Sequence, residues 1–164
     1  MPAHQNVRAA ERYFRDDDLT PGQFWQLCAW WQAQGADEFT VALIGTTTPD
    51  SVGWAPLEAR LAPFVRPPAR REHLSARSEA KFTREAELWA LTPESLAALP
   101  ALFPDGPFQY DISHAGWAED LLLYRRDELV LGVISHEDWG IVRGTAPEFE
   151  RLVAAGFSLR DAQG

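Results

Sequence analysis

The sequence contains one cysteine, one methionine and one lysine in 164 residues. A single cysteine, Cys28, excludes an internal disulfide framework and a cysteine-rich zinc site. No apolar run approaches the roughly 18 residues that cross a bilayer as a helix, so no membrane partner is expected. The stretch from Met1 to Phe14 lacks the apolar segment of a secretory signal, which points to the cytoplasm. Glycine-rich phosphate loops, the dinucleotide-binding fingerprint, the serine nucleophile elbow and the zinc-protease helix motif are all missing. Neither an internal repeat nor a low-complexity tract appears. No cofactor is expected.

What is present fits one globular domain spanning 1–164, long enough to bury a full core. Apolar residues make up 46% and charged residues 24%, which argues against global disorder. The formal net charge is −9, and it is unevenly spread. Between Arg60 and Arg84 there are seven basic and two acidic residues, or +5. The remainder carries eight basic and 22 acidic residues, or −14. Such a surface repels nucleic-acid phosphate and anionic membranes, and suits solubility or docking to a basic protein partner. Arginine in place of lysine, with abundant alanine and proline, suggests a GC-rich bacterial genome.

Hydrophobic spacing gives an α+β reading. Residues 6–15 have a short helical pattern with Asn6 as N-cap and Val7, Ala10 and Phe14 on one face. Thr20-Pro21-Gly22-Gln23 is a capping box, and Phe24, Leu27, Cys28 and Trp31 follow as one apolar stripe up to Gly35. Glu38 to Ile44 is a nearly continuous apolar run, the pattern of a central strand. Leu57 to Val65 suggests a short helix broken at Pro63. Residues 66–78 hold Pro67-Pro68 and paired arginines, and predict a long exposed loop. A strand over 85–91, a helix opened by Thr92-Pro93 and an alternating strand from Phe108 to Ile112 come next. Strands from Leu121 to Arg125, Leu129 to Ser135 and Trp139 to Val142 make an antiparallel meander. A second capping box, Thr145 to Glu148, opens the closing helix. The expected architecture is a mostly antiparallel sheet of about five or six strands with helices packed on one face.

Three sets of residues could carry function. His136, Glu137 and Asp138 lie on one turn and could bind a metal or act as acid and base. Turns favour Asp for local reasons, and consecutive side chains there diverge, so a plain solvated turn is the simpler reading. His114, with Asp111, Glu119 and Asp120 nearby, would complete a two-histidine set if its strand lay beside the meander. Trp54 and Trp117 sit beside glycines in predicted loops, where a Trp is either a lid over the core, the simpler reading, or a contact anchor, and Arg70 and Arg71 lie in the basic segment; Trp and Arg are common interface anchors. Arginine also suits RNA, but in a chain so acidic elsewhere pairing with the protein's own carboxylates, or plain solvation, is the expected role of this segment, and nucleic acid is not the expected partner. Cys28 lies on an apolar stripe, where a thiol is a small core residue. Two functions follow as expectations. The first is a non-enzymatic protein-binding module of the inhibitor or immunity type, with Trp54, Trp117, Arg70 and Arg71 as contacts. The alternative is a small metal-dependent or acid–base enzyme using His114, His136, Glu137 and Asp138. A homodimer is compatible with both.

Overall fold

A computed structural model of the chain describes residues 9–43, 54–74, 82–110 and 117–161. The described residues form an α+β fold, with seven strands and four helices. The strands are β1 (Ala10–Arg15), β2 (Glu38–Leu43), β3 (Val65–His73), β4 (Phe82–Ala90), β5 (Ala118–Arg125), β6 (Glu128–Ile134) and β7 (Trp139–Gly144). The helices are α1 (Pro21–Ala33), α2 (Trp54–Leu61), α3 (Pro93–Ala98) and α4 (Ala146–Ala154). All seven strands join one sheet in the order β1-β7-β6-β5-β2-β4-β3, and every pairing is antiparallel.

The caps place the helices where the sequence signals them. Thr20 Oγ1 accepts from the Gln23 amide at 3.2 Å while Gln23 accepts from the Thr20 amide at 2.9 Å. Each bond satisfies a donor that the first helical turn would leave unpaired. The Thr145–Glu148 box does the same for α4, and Glu148 also receives Arg125 at 2.6 Å. The stripe Phe24, Leu27, Cys28 and Trp31 is fully buried. It meets Phe39, Val41, Leu121, Leu123, Leu131 and Val142 of the sheet in the main core, together with Leu57, Leu61, Leu99, Phe149 and Leu152. The opposite face carries a smaller cluster of Ala86, Leu88, Leu122, Tyr124 and Leu129, with Ala69 and Leu74 against it.

Two elements differ from their sequence patterns. Residues 10–15 form a strand rather than a helix, because β1 pairs with β7 along its whole length. Phe14 sits opposite Gly140, and its ring occupies the space a side chain there would need. Residues 66–73 are not a loop. They lie in edge strand β3, where Ala69 to His73 pair with β4 and the register breaks across Pro67-Pro68. Arg71 is drawn inward by acid partners: it reaches Glu38 and Asp127, each at 2.7 Å. A third departure falls at 108–110, which carries no strand. Gln109 is buried there, its amide donating to the Leu102 and Ala118 carbonyls, each at 2.6 Å. These bonds invert the expected alternation and leave Tyr110 exposed. With β1 and β3 counted, the sheet exceeds the expected five or six strands.

The sheet is curled so that β3 crosses the face opposite the main core. The Tyr124 hydroxyl donates to the Glu72 carbonyl at 2.8 Å, and Leu74 lies over Gly132. Glu72 receives the Arg143 guanidinium through two bonds, at 2.8 and 2.9 Å. Side chains thus tie one edge strand, β3, to β7 near the other edge. At that other edge, the Tyr13 backbone exchanges bonds with Arg160 at 2.8 and 2.7 Å, which covers β1 against strand addition.

The turn joining β5 to β6 has Arg126 and Asp127 at positive φ, 50° and 70°. Two-residue hairpin turns of this kind favour Asn-Gly, because a Cβ crowds the backbone there. Asp127 is retained by Arg71, whereas no described partner holds Arg126. Arg126→Asn is therefore expected to stabilise the fold by about 1 kcal/mol. A melting temperature that stays the same or falls in calorimetry would contradict this account of the turn.

Candidate functional site

The site is assembled where β5, β6, β7 and β1 meet on the face opposite the main core. A short 3-10 turn over Ser135–Glu137 leads from β6 into β7. Asp138 closes it with φ of 53°. The turn aims His136 and Glu137 in different directions. His136 is exposed and meets the Tyr110 ring, with centroids 5.5 Å apart. Glu137 instead accepts from the Trp139 indole at 3.0 Å. From Trp139 the contacts run on without a gap. Its ring meets Tyr13 at 6.1 Å, and the Tyr13 hydroxyl donates to Glu11 at 3.2 Å. Glu11 receives Arg143 at 2.8 Å, and Arg143 reaches Glu72. A strip of half-buried aromatic rings and carboxylates results.

Asp120 stands beside the turn. The β2–β5 register shifts between Thr40 and Ala42, so that β5 carries one extra residue there, and Asp120 has φ of 51°. Such bulges re-aim a side chain. One carboxylate oxygen accepts from the Ser135 amide at 2.7 Å, and the Asp120 amide donates to Ser135 Oγ at 2.9 Å. Ser135 Oγ in turn donates to the Pro107 carbonyl at 3.3 Å. Burial pushes the Asp120 carboxyl above its ordinary range; the Ser135 bonds and the His136 and Arg84 charges offset part of that rise. The Ser135 bonds are its only hydrogen bonds or ion pairs among the described residues.

The residues singled out from sequence are dispersed. His114 and Asp111 lie outside the described residues, as does the Trp54 side chain. Trp117 is half-buried. Arg70 is exposed and donates to the Thr83 carbonyl at 3.2 Å, whereas Arg71 is committed to Glu38 and Asp127. His136, Glu137 and Asp138 do not converge on one point. Among the described residues, no three His, Cys, Asp or Glu side chains gather as a metal set. Cys28 is fully buried, and burial pushes its thiol far up, away from the reactive thiolate. A separate open depression of about 330 Å³ is lined by Gln34, Arg125, Arg126 and Glu128. Arg125 there is already engaged by Glu148.

The His136–Trp139 segment stands out in the sequence as a cluster, and Asp120 is close in sequence to His114, which lies outside the described residues. Glu11, Tyr13, Arg143 and Glu72 carry no such signal, because only the β1–β7 pairing and the curl of the sheet bring them together; Ser135 and Tyr110 join through their contacts with Asp120 and His136. No described helix is long and apolar enough to cross a membrane. Comparison with models of protein families, with curated proteins and with solved structures finds no match to this chain.

Proposed function

We propose that the chain is a non-enzymatic protein-binding module of the inhibitor or immunity kind, working in the cytoplasm on a basic partner. The observation that carries this reading is the Glu137–Trp139–Tyr13–Glu11–Arg143–Glu72 strip, with the Tyr110–His136 ring pair beside it at the turn. Tyr and Trp supply large contact area at small entropic cost and dominate interface energetics. With Asp120, the strip holds four carboxylates against the single Arg143 guanidinium, so its excess charge is negative. The −9 net charge adds a long-range field that speeds encounter with a basic surface. Nucleic acid would meet repulsion from the same field.

The test is affinity capture at low salt after nuclease, repeated with Trp139→Ala. One dominant basic protein is expected, with affinity for the variant lower by at least about tenfold, the loss typical of a central aromatic anchor. Equal capture by both proteins would remove the strip from the interface. Self-association through the same strip would appear instead as a dimer in sedimentation, lost in Trp139→Ala.

A second reading, a small acid–base enzyme, draws support from one observation. Asp120, with its carboxyl raised by burial, lies within electrostatic reach of His136. It keeps His136 from the earlier expectation and puts Asp120 in place of Glu137, which the Trp139 indole occupies.

A further inference from the structure

We infer that Asp120 is the receptor for a single arginine side chain of the basic partner, an inference that rests on reading the surrounding strip as a docking surface. Three observations support it independently. First, Asp120 adopts a left-handed backbone inside a strand, at a bulge position where glycine is the unstrained choice. Aspartate is among the residues that adopt this region most readily, and the bulge re-aims its carboxylate toward the Ser135 turn. Second, that carboxylate is oriented but not neutralised. The Ser135 amide fixes one oxygen at 2.7 Å, and no ion pair joins Asp120 among the described residues. A half-buried carboxylate with one donor on one oxygen, and with the His136 and Arg84 charges acting on it without an ion pair, lacks the direct compensation that a guanidinium would supply. Third, the neighbouring side chains suit a planar cation. Tyr110 is 52% exposed, and its ring meets that of the exposed His136. Aromatic faces stack on guanidinium more readily than on the compact, strongly hydrated ammonium of lysine.

The geometry differs from the ion pairs inside the fold. Arg71 and Arg143 each meet two carboxylates, and Arg160 is held by Asp17 and Asp18. Those acids are occupied by the chain's own arginines, whereas Asp120 receives none among the described residues. An incoming arginine therefore finds at Asp120 a carboxylate that requires no internal pair to be broken.

The experiment is a nuclear magnetic resonance titration of the full chain with acetyl-arginine amide. Acetyl-citrulline amide, of nearly the same shape but uncharged, is the control. Saturable shifts are expected at Asp120, Ser135, His136 and Tyr110 with the arginine compound, and none with citrulline. Asp120→Asn is expected to weaken binding at least about tenfold, the equivalent of 1.4 kcal/mol. Asn adopts positive φ readily and can keep the bond from Ser135, so an unchanged spectrum away from the site will show that the variant folds. An Asp120→Asn variant that titrates like the parent overturns the inference. Saturable shifts at Trp139 and Tyr13 with a silent Asp120 overturn it too, yet leave the docking surface standing. The absence of saturable shifts anywhere overturns both.

Discussion

Phe14→Ala is expected to lower the stability of the fold by about 3–5 kcal/mol, the cost of deleting a fully buried aromatic side chain. The ring has no solvent exposure and sits 6.0 Å from Phe24 and 5.8 Å from Phe108, centroid to centroid. Beneath it lies Gly140, its cross-strand partner, with no side chain of its own. Removing the ring opens a cavity and strips the cover from the β7 backbone, so the transfer and cavity costs add. The converse change, Gly140→Ala, forces a Cβ into the space of the ring and is expected to cost about 1–3 kcal/mol or slightly more. Denaturant melts of both variants measure these costs. In the double variant Phe14→Leu with Gly140→Ala, the smaller side chain makes room for the new methyl. It is expected to be more stable than the sum of the separate losses predicts. Strict additivity across the cycle would show that ring and glycine do not share that space.

Stability is expected to fall as pH drops through the window from about 6.5 to about 4, with His73 as a main contributor. Burial pushes the His73 imidazole down to about 4, and the Arg84 charge lowers it further. Its Nδ1 contacts the Arg71 carbonyl at 3.2 Å, which makes that nitrogen the donor and leaves Nε2 a bare lone pair. Among the described residues, the buried Nε2 has no hydrogen-bond partner. The unfolded chain therefore binds this proton before the folded chain does. The contribution is complete above pH 6.5 and lost by about pH 4, a change on the order of 3 kcal/mol. Asp120 acts in the opposite sense, because its folded carboxyl is raised. Comparing one variant with its parent isolates the histidine. His73→Phe should flatten the pH dependence across that window and favour the variant at pH 5. Parallel stability curves for the two proteins would sink the assignment.

The parts legible in the sequence are those written locally. The boxes at Thr20 and Thr145 and the stops at Gly35 and Gly156 are chain-neighbour effects, and they bound α1 and α4 as expected. The apolar run of β2 indicated a central strand, and β2 lies between β4 and β5. The two unforeseen strands depend on distant partners. In β1, Phe14 satisfies a helical spacing and a strand spacing equally, and pairing with β7 selects the strand. In β3, Pro67-Pro68 and the arginines imitate a loop, because the carboxylates that neutralise Arg71 come from β2 and the β5–β6 turn. The site was half visible for the same reason. His136 to Trp139 are adjacent in sequence and drew attention as a cluster, but the turn separates them. The bulge that turns Asp120 toward them leaves no mark in an apolar run beyond an acidic pair at its start.

The order of the strands has a consequence for how the chain must fold. Among the described residues β1 has no strand partner but β7, and β2 lies between β5 and β4. A growing chain therefore exposes the apolar β2 at the ribosome well before β5 emerges, and β1 waits for nearly the whole sequence. Contacts of such long sequence separation place folding on the slow side for a domain of this size, with a long interval in which unpaired strand edges are open to chaperones or to one another. The acidic charge carried along most of the chain then has a second use. It keeps unfinished copies apart by mutual repulsion until the β1–β7 pairing can form.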